Sequence, residues 1–418
     1  MASGAGSGSP MTLQECVRSA LEENPQYRAA LEGTVSASET ADAARAPYYP
    51  EVSFQMAYQR FQTHIFLPNS LDIPLISPIV GPVDSNGISV SAAYTLFDSG
   101  ARKAAAQQGI MGREAALEGA AQSREEVAFG VHRAFFALLA AQEARGVAEL
   151  SLKRSEEHLK LAQARKEAGA VPLADVLRAR VEAGNARLAL VQAEGNLAVA
   201  RGNLNAAMGR SPDEPLQLEP PGGEARAPEP SSAEADFQRA AGLRPELKAA
   251  SDLVEARRAA VASARSAYGP RLLAMAKYGR LDSDYFPQDE DWAVGVTFQV
   301  PLFSYARSHT LARARSELAR EELNRKKLEI SVRQEVWNAR SEVERAWSSI
   351  AAARTLAADA AESLRMARER YAAGAGTVTD LLDAETNRAS SDLALVSADC
   401  AYRMALSALK KAMGELAR

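Results

Sequence analysis

Asp380 and Asp383 are the residues whose types and spacing most suggest work on a charged solute: three apart, they share one face of a helix. Two readings of the pair stay open. Carboxylates in the first turn of a helix complement its dipole, each by about 0.3–1 kcal/mol. Carboxylates repeated around a narrow bore instead raise one another's pKa and attract cations. Other chemistry finds no support. The sequence holds no nucleophile elbow, P-loop, Rossmann glycine pattern or metal-spaced Cys/His cluster, so no catalysis, cofactor or metal is expected. His64, His132, His158 and His309 are scattered and read as exposed or capping residues. Cys16 and Cys400 fall within predicted helices far apart in sequence; two buried free thiols are expected, a disulfide being the alternative. Charged runs along the helical segments read as solvated faces or inter-helix pairs.

A net charge of -4 over 418 residues carries no nucleic-acid footprint. Aromatics make up only 6% of the chain and alanine is abundant, which suits long helices packed through small side chains. No run of about 18 apolar residues exists, so no transmembrane helix is expected. The weaker signal of barrel strands remains open. Residues 1–10, MASGAGSGSP, lack a basic stretch and an apolar stretch, and read as a leader or tag rather than a signal peptide.

The chain is written twice. Ala43-Ala44-Arg45-Ala46-Pro47-Tyr48-Tyr49-Pro50 matches Ser263-Ala264-Arg265-Ser266-Ala267-Tyr268-Gly269-Pro270 at an offset of 220, and Asn24-Pro25 matches Arg244-Pro245. Leu96-Phe97 matches Leu302-Phe303 at 206, and Gly169 to Met208 matches Gly374 to Met413 at 205. The slippage falls between residues 50 and 96, where extra residues in the first copy imply a surface loop. Six prolines between 210 and 232 mark a linker. The first repeat thus covers 11–209, and the second 233–418.

Alternation of period two predicts strands. Val52, Phe54, Met56 and Tyr58 oppose Ser53, Gln55, Ala57 and Gln59, and the same pattern recurs over 88–97 and, in the second copy, over 292–300; 271–281 alternates most weakly. Hairpins are therefore expected at about 51–97 and 271–303. Tyr48, Tyr49, Phe97, Tyr268 and Phe303 fall near one strand end, Phe61 and Trp292 near the other, as interfacial girdles do. Alternation alone equally suits a soluble sandwich with one solvated face. Long helices decide between the two. Neither proline nor turn cluster interrupts 99–168 or 305–373. Seventy helical residues span about 105 Å. Apolar residues at coiled-coil spacing (Val127, Val131, Phe135, Leu138, Leu139) require packing beside similar helices. Return helices follow at 172–208 and 377–413, after turns with glycine as stop and, in the first, proline as start.

Four strands do not close a barrel, and open edges are not tolerated in lipid. Closure requires further copies; three would supply twelve strands. The expected fold class is an α+β membrane protein with internal duplication. Its four strands per protomer form a 12-stranded trimeric β-barrel, continued by a long α-helical coiled-coil barrel. A soluble coiled-coil scaffold with a small β-domain is the alternative.

From residue 11 onward the chain resembles the TolC-like outer-membrane efflux family. The resemblance rests on Leu13-Gln14-Glu15-Cys16-Val17-Arg18-Ser19-Ala20-Leu21-Glu22-Glu23-Asn24-Pro25, on Leu96-Phe97-Asp98-Ser99-Gly100, and most specifically on Arg370-Tyr371-Ala372-Ala373-Gly374-Ala375-Gly376-Thr377-Val378-Thr379-Asp380-Leu381-Leu382-Asp383-Ala384. It implies a homotrimer in the outer membrane of a Gram-negative bacterium, held in outer-membrane lipid and extending into the periplasm. It further implies an exit duct of a tripartite efflux or type I secretion system, docked by its tips on a periplasmic adaptor and fed by an inner-membrane pump. Family members narrow the duct at the tip with acidic rings and a network around a tyrosine. By motif position these fall on Asp380, Asp383 and Tyr371, with Asp175 as the first-copy counterpart. The adaptor-facing turns fall on Gly169, Val171, Pro172 and Leu173, and on Gly374, Gly376, Thr377 and Val378. Two departures stand out. Gly376 takes a place where some relatives carry arginine, and Ala174 precedes Asp175, so a salt-bridge lock at the turn is in question.

Overall fold

The computed structural model describes residues 10–64, 79–220, 222, 226–228 and 232–417. The leader expected over 1–10 lies outside these except for Pro10, and the linker expected over 210–232 lies partly outside them.

Each repeat opens with two helices. These are α1 (Leu13–Glu23) and α2 (Pro25–Ala43), and later α5 (Ala233–Leu243) and α6 (Pro245–Ser266). The break has a local cause. Proline cannot donate to a preceding turn, and it pushes the residue before it out of helical geometry. Asn24 and Arg244 are accordingly extended, with ψ 122° and 123°. Thr12 starts α1 with a capping box, its hydroxyl accepting from the Glu15 N–H while Glu15 accepts from the Thr12 N–H.

After the hairpins come α3 (Ala101–Glu167) with α4 (Leu173–Met208), and α7 (Tyr305–Ala372) with α8 (Val378–Met413). Two glycines end α4 and α8 in the left-handed region, Gly209 at φ 85° and Gly414 at φ 75°. Each is pressed against the break of its own repeat: a Cβ on Gly209 would stand 2.8 Å from Asn24 Cα, and one on Gly414 3.2 Å from the Arg244 N. Asn24 Nδ2 donates to the Ala207 carbonyl, and Arg244 Nη1 to that of Ala412, its counterpart. The duplication therefore repeats a packing device as well as a sequence.

Contacts divide the chain into two units. One comprises residues up to Gly33, Leu117–Lys248 and those from Lys326 onward; the other comprises Thr34–Ala116 and Ala249–Arg325. In the first, α1, the middle of α3, the end of α4 and Cys400 of α8 share a core. Phe135, Val131, Leu138, Leu204 and Met208 are fully buried there. Cys16 and Cys400 are both buried and both free, burial raising each thiol's pKa to about 11. The counterpart cluster on α5, α7 and α8 is smaller: Phe237, Ala240, Val332, Val336 and Ala412.

The second unit holds one antiparallel sheet: β1 (Glu51–His64), β2 (Ile79–Phe97), β3 (Arg271–Asp282) and β4 (Glu290–Gln299), in the order β1-β2-β3-β4. Its register aligns the four alternations. Phe54, Val90, Tyr278 and Trp292 form one row, and Val52, Ala92, Ala276 and Val294 another on the same face. Gln55, Ser89, Gly279 and Asp291, with Ser53, Ser91, Lys277 and Ala293, form rows on the opposite face. Hydrogen bonds Ser53–Ser91 (2.8 Å) and Lys277–Asp291 (2.7 Å) knit the polar face. The apolar rows are exposed.

Two strand expectations change. The extra residues of the first hairpin are not all loop: β1 and β2 continue pairing through Arg60 with Asp84 to His64 with Ile79, across the turn-like Gly-Pro. The rest of that insertion, 65–78, lies outside the described residues. Trp292 does not share a row with Phe61, since it stands beside Tyr278, Val90 and Phe54. Tyr285 and Phe286, ring centroids 5.1 Å apart, occupy the β3–β4 connection instead.

The Leu96-Phe97-Asp98-Ser99-Gly100 motif joins β2 to α3. Asp98 accepts from the Gly100 and Arg102 N–H groups, which satisfies the open start of α3. Ser99, at φ 56°, donates to the Pro270 carbonyl from beside the start of β3.

Candidate functional site

Two turns carry every sequence-predicted site residue, and both are built on the same backbone. Gly169 (φ 72°) and Gly374 (φ 73°) reverse the chain. The Ala170 N–H reaches the Arg165 carbonyl, and the Ala375 N–H that of Arg370, each at 2.9 Å. A side chain at either glycine would meet nothing, so the left-handed backbone alone requires glycine there. Gly376 has a second constraint: a Cβ would stand 3.2 Å from the Tyr371 N and the Arg370 Cβ, which leaves little room for the arginine expected of some relatives.

The return helices start differently. Thr377 opens α8 with a capping box: its hydroxyl accepts from the Asp380 N–H, and Asp380 accepts from the Thr377 N–H, both at 3.1 Å. Contact with the Thr377 hydroxyl and N–H, then the charge of Arg370, holds the exposed Asp380 carboxyl below its ordinary pKa. Within one chain that direction is opposite to the one expected of a carboxylate ring. Pro172 stands at the N-cap of α4 and makes no side-chain cap. Asp175, the counterpart of Asp380, lies 3.7 Å from Arg178 instead. Asp383 is exposed on the next turn of α8.

Tyr371 is buried in the last turn of α7, against Leu364, Val378, Leu381 and Ala384. Val378 therefore lies within this cluster rather than on the outer surface of the turn. Leu173 and Thr377 are exposed, as are Gly169, Pro172 and Gly374, whereas Val171 and Gly376 are half-buried.

Arg165 was not legible in the sequence. It belongs to the last turn of α3, but its guanidinium lies 4.6 Å from the Tyr371 ring centroid. It also donates to the Tyr371 and Ala372 carbonyls at 3.3 and 3.4 Å. One arginine thus stacks on an aromatic face and caps the open end of another helix. It ties the two turns together without a carboxylate. The signal available was only its position, a basic residue in a last helical turn.

Above the turns lies a buried ionic cluster. Glu385 of α8, on the same stripe as Leu381 and Ala384, is 8% exposed. Its carboxylate receives Arg368 Nε at 3.1 Å and His158 Nε2 at 3.0 Å, and Arg154 lies 3.9 Å away. Burial opposes its ionisation, but hydrogen bonds from His158 and Arg368, with their charges, outweigh this and hold the pKa below the ordinary value. His158 is therefore no exposed residue. Nor is His132, whose Nδ1 lies 2.9 Å from Ser407 Oγ and whose pKa burial, with the charge of Lys410, lowers to about 4. Both histidines join α3 to α8. Among the described residues no acidic, thiol and imidazole side chains gather as a metal would need, and no helix is long and apolar enough to cross a membrane.

A duplicated pair of helical hairpins, in one chain with an amphipathic sheet whose outer strands β1 and β4 have no further strand partner among the described residues, narrows the comparison to few folds. A sequence profile of the outer membrane efflux protein family matches residues 16–210 and 237–415, one span for each repeat. The chain belongs to that family. Protein CyaE of Bordetella pertussis is 28% identical over 425 residues, covering 98% of this chain and 85% of its own length. The fold also matches solved outer-membrane channels. CusC superposes with a TM-score of 0.83 at 17% identity, over 98% of this chain and 95% of its own. The open state of the Neisseria gonorrhoeae MtrE outer membrane channel gives 0.79 at 21% identity, over 97% and 89%. The fold class is thus that of the TolC-like channels, and the chain is an outer-membrane channel protein of the efflux and secretion type.

Proposed function

We propose that three copies of this chain close a twelve-stranded barrel in the outer membrane of a Gram-negative bacterium. A tube of α3, α4, α7 and α8 then forms the exit duct of a tripartite efflux or type I secretion system. The observation that carries this reading is the sheet. Its four strands align apolar rows on one face and polar rows on the other, while β1 and β4 each keep one edge without a strand partner among the described residues. Such a sheet suits a wall between lipid and water, and in lipid its edges need neighbours. Three is the number the family resemblance supplies.

In this reading the turns at Gly169 and Gly374 face a periplasmic adaptor fed by an inner-membrane pump. Gly169, Val171, Pro172, Leu173, Gly374, Gly376 and Thr377 offer backbone and small surfaces to it, and the buried Val378 supports the turn from within. Asp175, Asp380 and Asp383, repeated three times, narrow the bore and favour cations. Tyr371, clamped by Arg165, holds the constriction closed.

Single-channel recording in planar bilayers tests this. The parent protein is expected to show low, cation-selective conductance that rises on Asp380→Ala plus Asp383→Ala. Unchanged conductance and selectivity would sink the gate assignment. Cross-linking in detergent that yields only single chains would count against barrel closure.

A further inference from the structure

Beside the buried Glu385 lies a charged space to which neither the turns nor the sheet assigns a role. On α7, Ala361, Leu364, Arg365 and Arg368 recur at i, i+3, i+4 and i+7, so they share one face. With Glu369, Arg154 of α3 and Arg388 of α8, they line a cavity of about 500 Å³. That volume falls within the range of small-molecule sites, about 300–1,000 Å³. Four guanidiniums from three helices therefore surround one space.

Carboxylates of the chain occupy three of the four. Glu362 and Glu369 both hold Arg365, each at 2.6 Å, and Asp392 holds Arg388 at 2.7 Å. Glu385 accepts from Arg368 Nε at 3.1 Å and is shared with His158. Arg154 differs from these. Its side chain is 24% exposed, it pairs only with the already shared Glu385, at 3.9 Å, and its guanidinium makes no hydrogen bond among the described residues. A guanidinium carries five N–H donors, and a mostly buried one without acceptors is left for water or a ligand to satisfy. Nη1 of Arg368 likewise has no acceptor among the described residues. The fold does not require these arginines. At the offset of 205, the first copy has Glu156, Leu159, Lys160 and Gln163 for the α7 stripe and Ala183 for Arg388, while Asp359 is the counterpart of Arg154. Only the leucine and one positive charge recur.

We propose that this cavity binds a small oxyanion of the phosphate type, free or carried as a monoester on a small organic molecule. Arg154 and Arg368 donate to it, and Arg388 lines its α8 side. Hydrogen bonds from guanidiniums to such an anion are charge-assisted and can be bidentate. A planar carboxylate is filled by a single fork. A tetrahedral phosphate presents oxygens in several directions, which suits donors arriving from separate helices. Leu364 and Ala361 give an organic tail an apolar wall. The bound anion joins α3 of the first repeat to α7 and α8 of the second, so it stabilises the folded chain by mass action.

The test is isothermal titration of the full-length chain in detergent with inorganic phosphate, in phosphate-free buffer at an ionic strength fixed by sodium chloride. One phosphate per chain is expected, with a thermal midpoint that rises as phosphate replaces chloride at equal ionic strength. Arg154→Gln is expected to weaken binding about tenfold or more. Its midpoint without phosphate should match the parent's, because the guanidinium holds no other group by a hydrogen bond. Arg154→Lys, which keeps the charge and loses the fork, is read by the same criteria and covers a failure of the first variant to fold. Arg345→Gln, at an exposed pair with Glu342 outside the cavity, is expected to bind as the parent does. Glycerol 3-phosphate is expected to compete for the same site. Tighter binding of the ester identifies an organic phosphate as the ligand, tighter binding of the inorganic ion identifies free phosphate, and either upholds the site. Absence of binding, or equal affinity in the parent and both Arg154 variants, overturns it. So does a loss on Arg345→Gln as large as that on Arg154→Gln, which would show only general attraction to a basic surface.

Discussion

The two helical turns share a backbone and differ in almost every side-chain interaction. Both use a left-handed glycine and the same reversing hydrogen bond. Beyond that, the α7–α8 turn has a capping box, a buried tyrosine clamped by Arg165 and a buried Glu385 with Arg368, Arg154 and His158 beside it. The α3–α4 turn has a proline cap, an exposed Leu173 and the 3.7 Å pair of Asp175 with Arg178. What the two copies kept is the reversal itself, which a tight turn enforces on any sequence. What diverged is the set of contacts made to neighbours. α8 meets α3 inside the chain through Glu385 and Ser407, whereas Leu188, Val191 and Val199 of α4 stay exposed there. Duplication therefore preserved geometry, and surroundings rewrote the chemistry.

The largest test of this contrast is at Glu385. Glu385→Ala removes the buried acceptor of Arg368 and His158 while the arginines keep access to solvent, and its expected cost is about 1.5–3 kcal/mol. Asp175→Ala, which breaks the more exposed pair with Arg178, is expected to cost under about 1 kcal/mol. Thermal unfolding in detergent compares the two, and equal shifts would erase the distinction between the turns.

A pH series sharpens the contrast along α3. The folded pKa of His132 is lowered to about 4, below its ordinary value near 6.5. Between those values the unfolded chain takes up a proton that the folded chain resists, so stability is full above pH 6.5 and falls as pH drops through this window. His132→Gln is expected to remove that part of the slope, read as the difference between variant and parent thermal midpoints from pH 7 to pH 4. The loss of Glu385 stability sets in lower, as pH falls through its depressed carboxyl pKa, and stays common to both proteins. A variant with the parent's slope would show that His132 is not the titrating group.

The smallest effect concerns the caps. Thr377→Ala removes the side-chain acceptor of the capping box and is expected to cost about 1 kcal/mol. Pro172→Ser gives α4 the acceptor it lacks and is expected to gain part of that amount, read by the same melting measurement. A loss at Pro172 would mean that the fixed proline φ contributes more at the first turn than a side-chain cap does.

Much of the fold was legible because it rests on local rules. Alternation of period two, uninterrupted helical stretches and glycine at the turns are read residue by residue, and the twofold writing of the chain fixed their order. Other features were not, since they depend on residues far apart in sequence. The division of each leading helix at Pro25 and Pro245 was visible as a proline, but its function, pressing Asn24 and Arg244 against Gly209 and Gly414, came from packing. The continuation of β1 and β2 past a Gly-Pro turn signal followed from cross-strand pairing that outweighed local preference. His132 and His158 read as surface residues because sequence carries no sign that α8 would cover α3.

The sequence by itself determined that this chain forms duplicated long hairpins and amphipathic strands, since periodicity and turn chemistry act over a few residues. It also placed Asp175, Asp380, Asp383 and Tyr371 at the turns. Only the tertiary structure decided that Tyr371 is held by Arg165, that Glu385 is a buried hub, and that Leu188, Val191 and Val199 of α4 stay exposed. Those facts depend on which helix lies beside which. Pairings between helices 200 residues apart are set by the summed fit of whole faces, which no short stretch of sequence records.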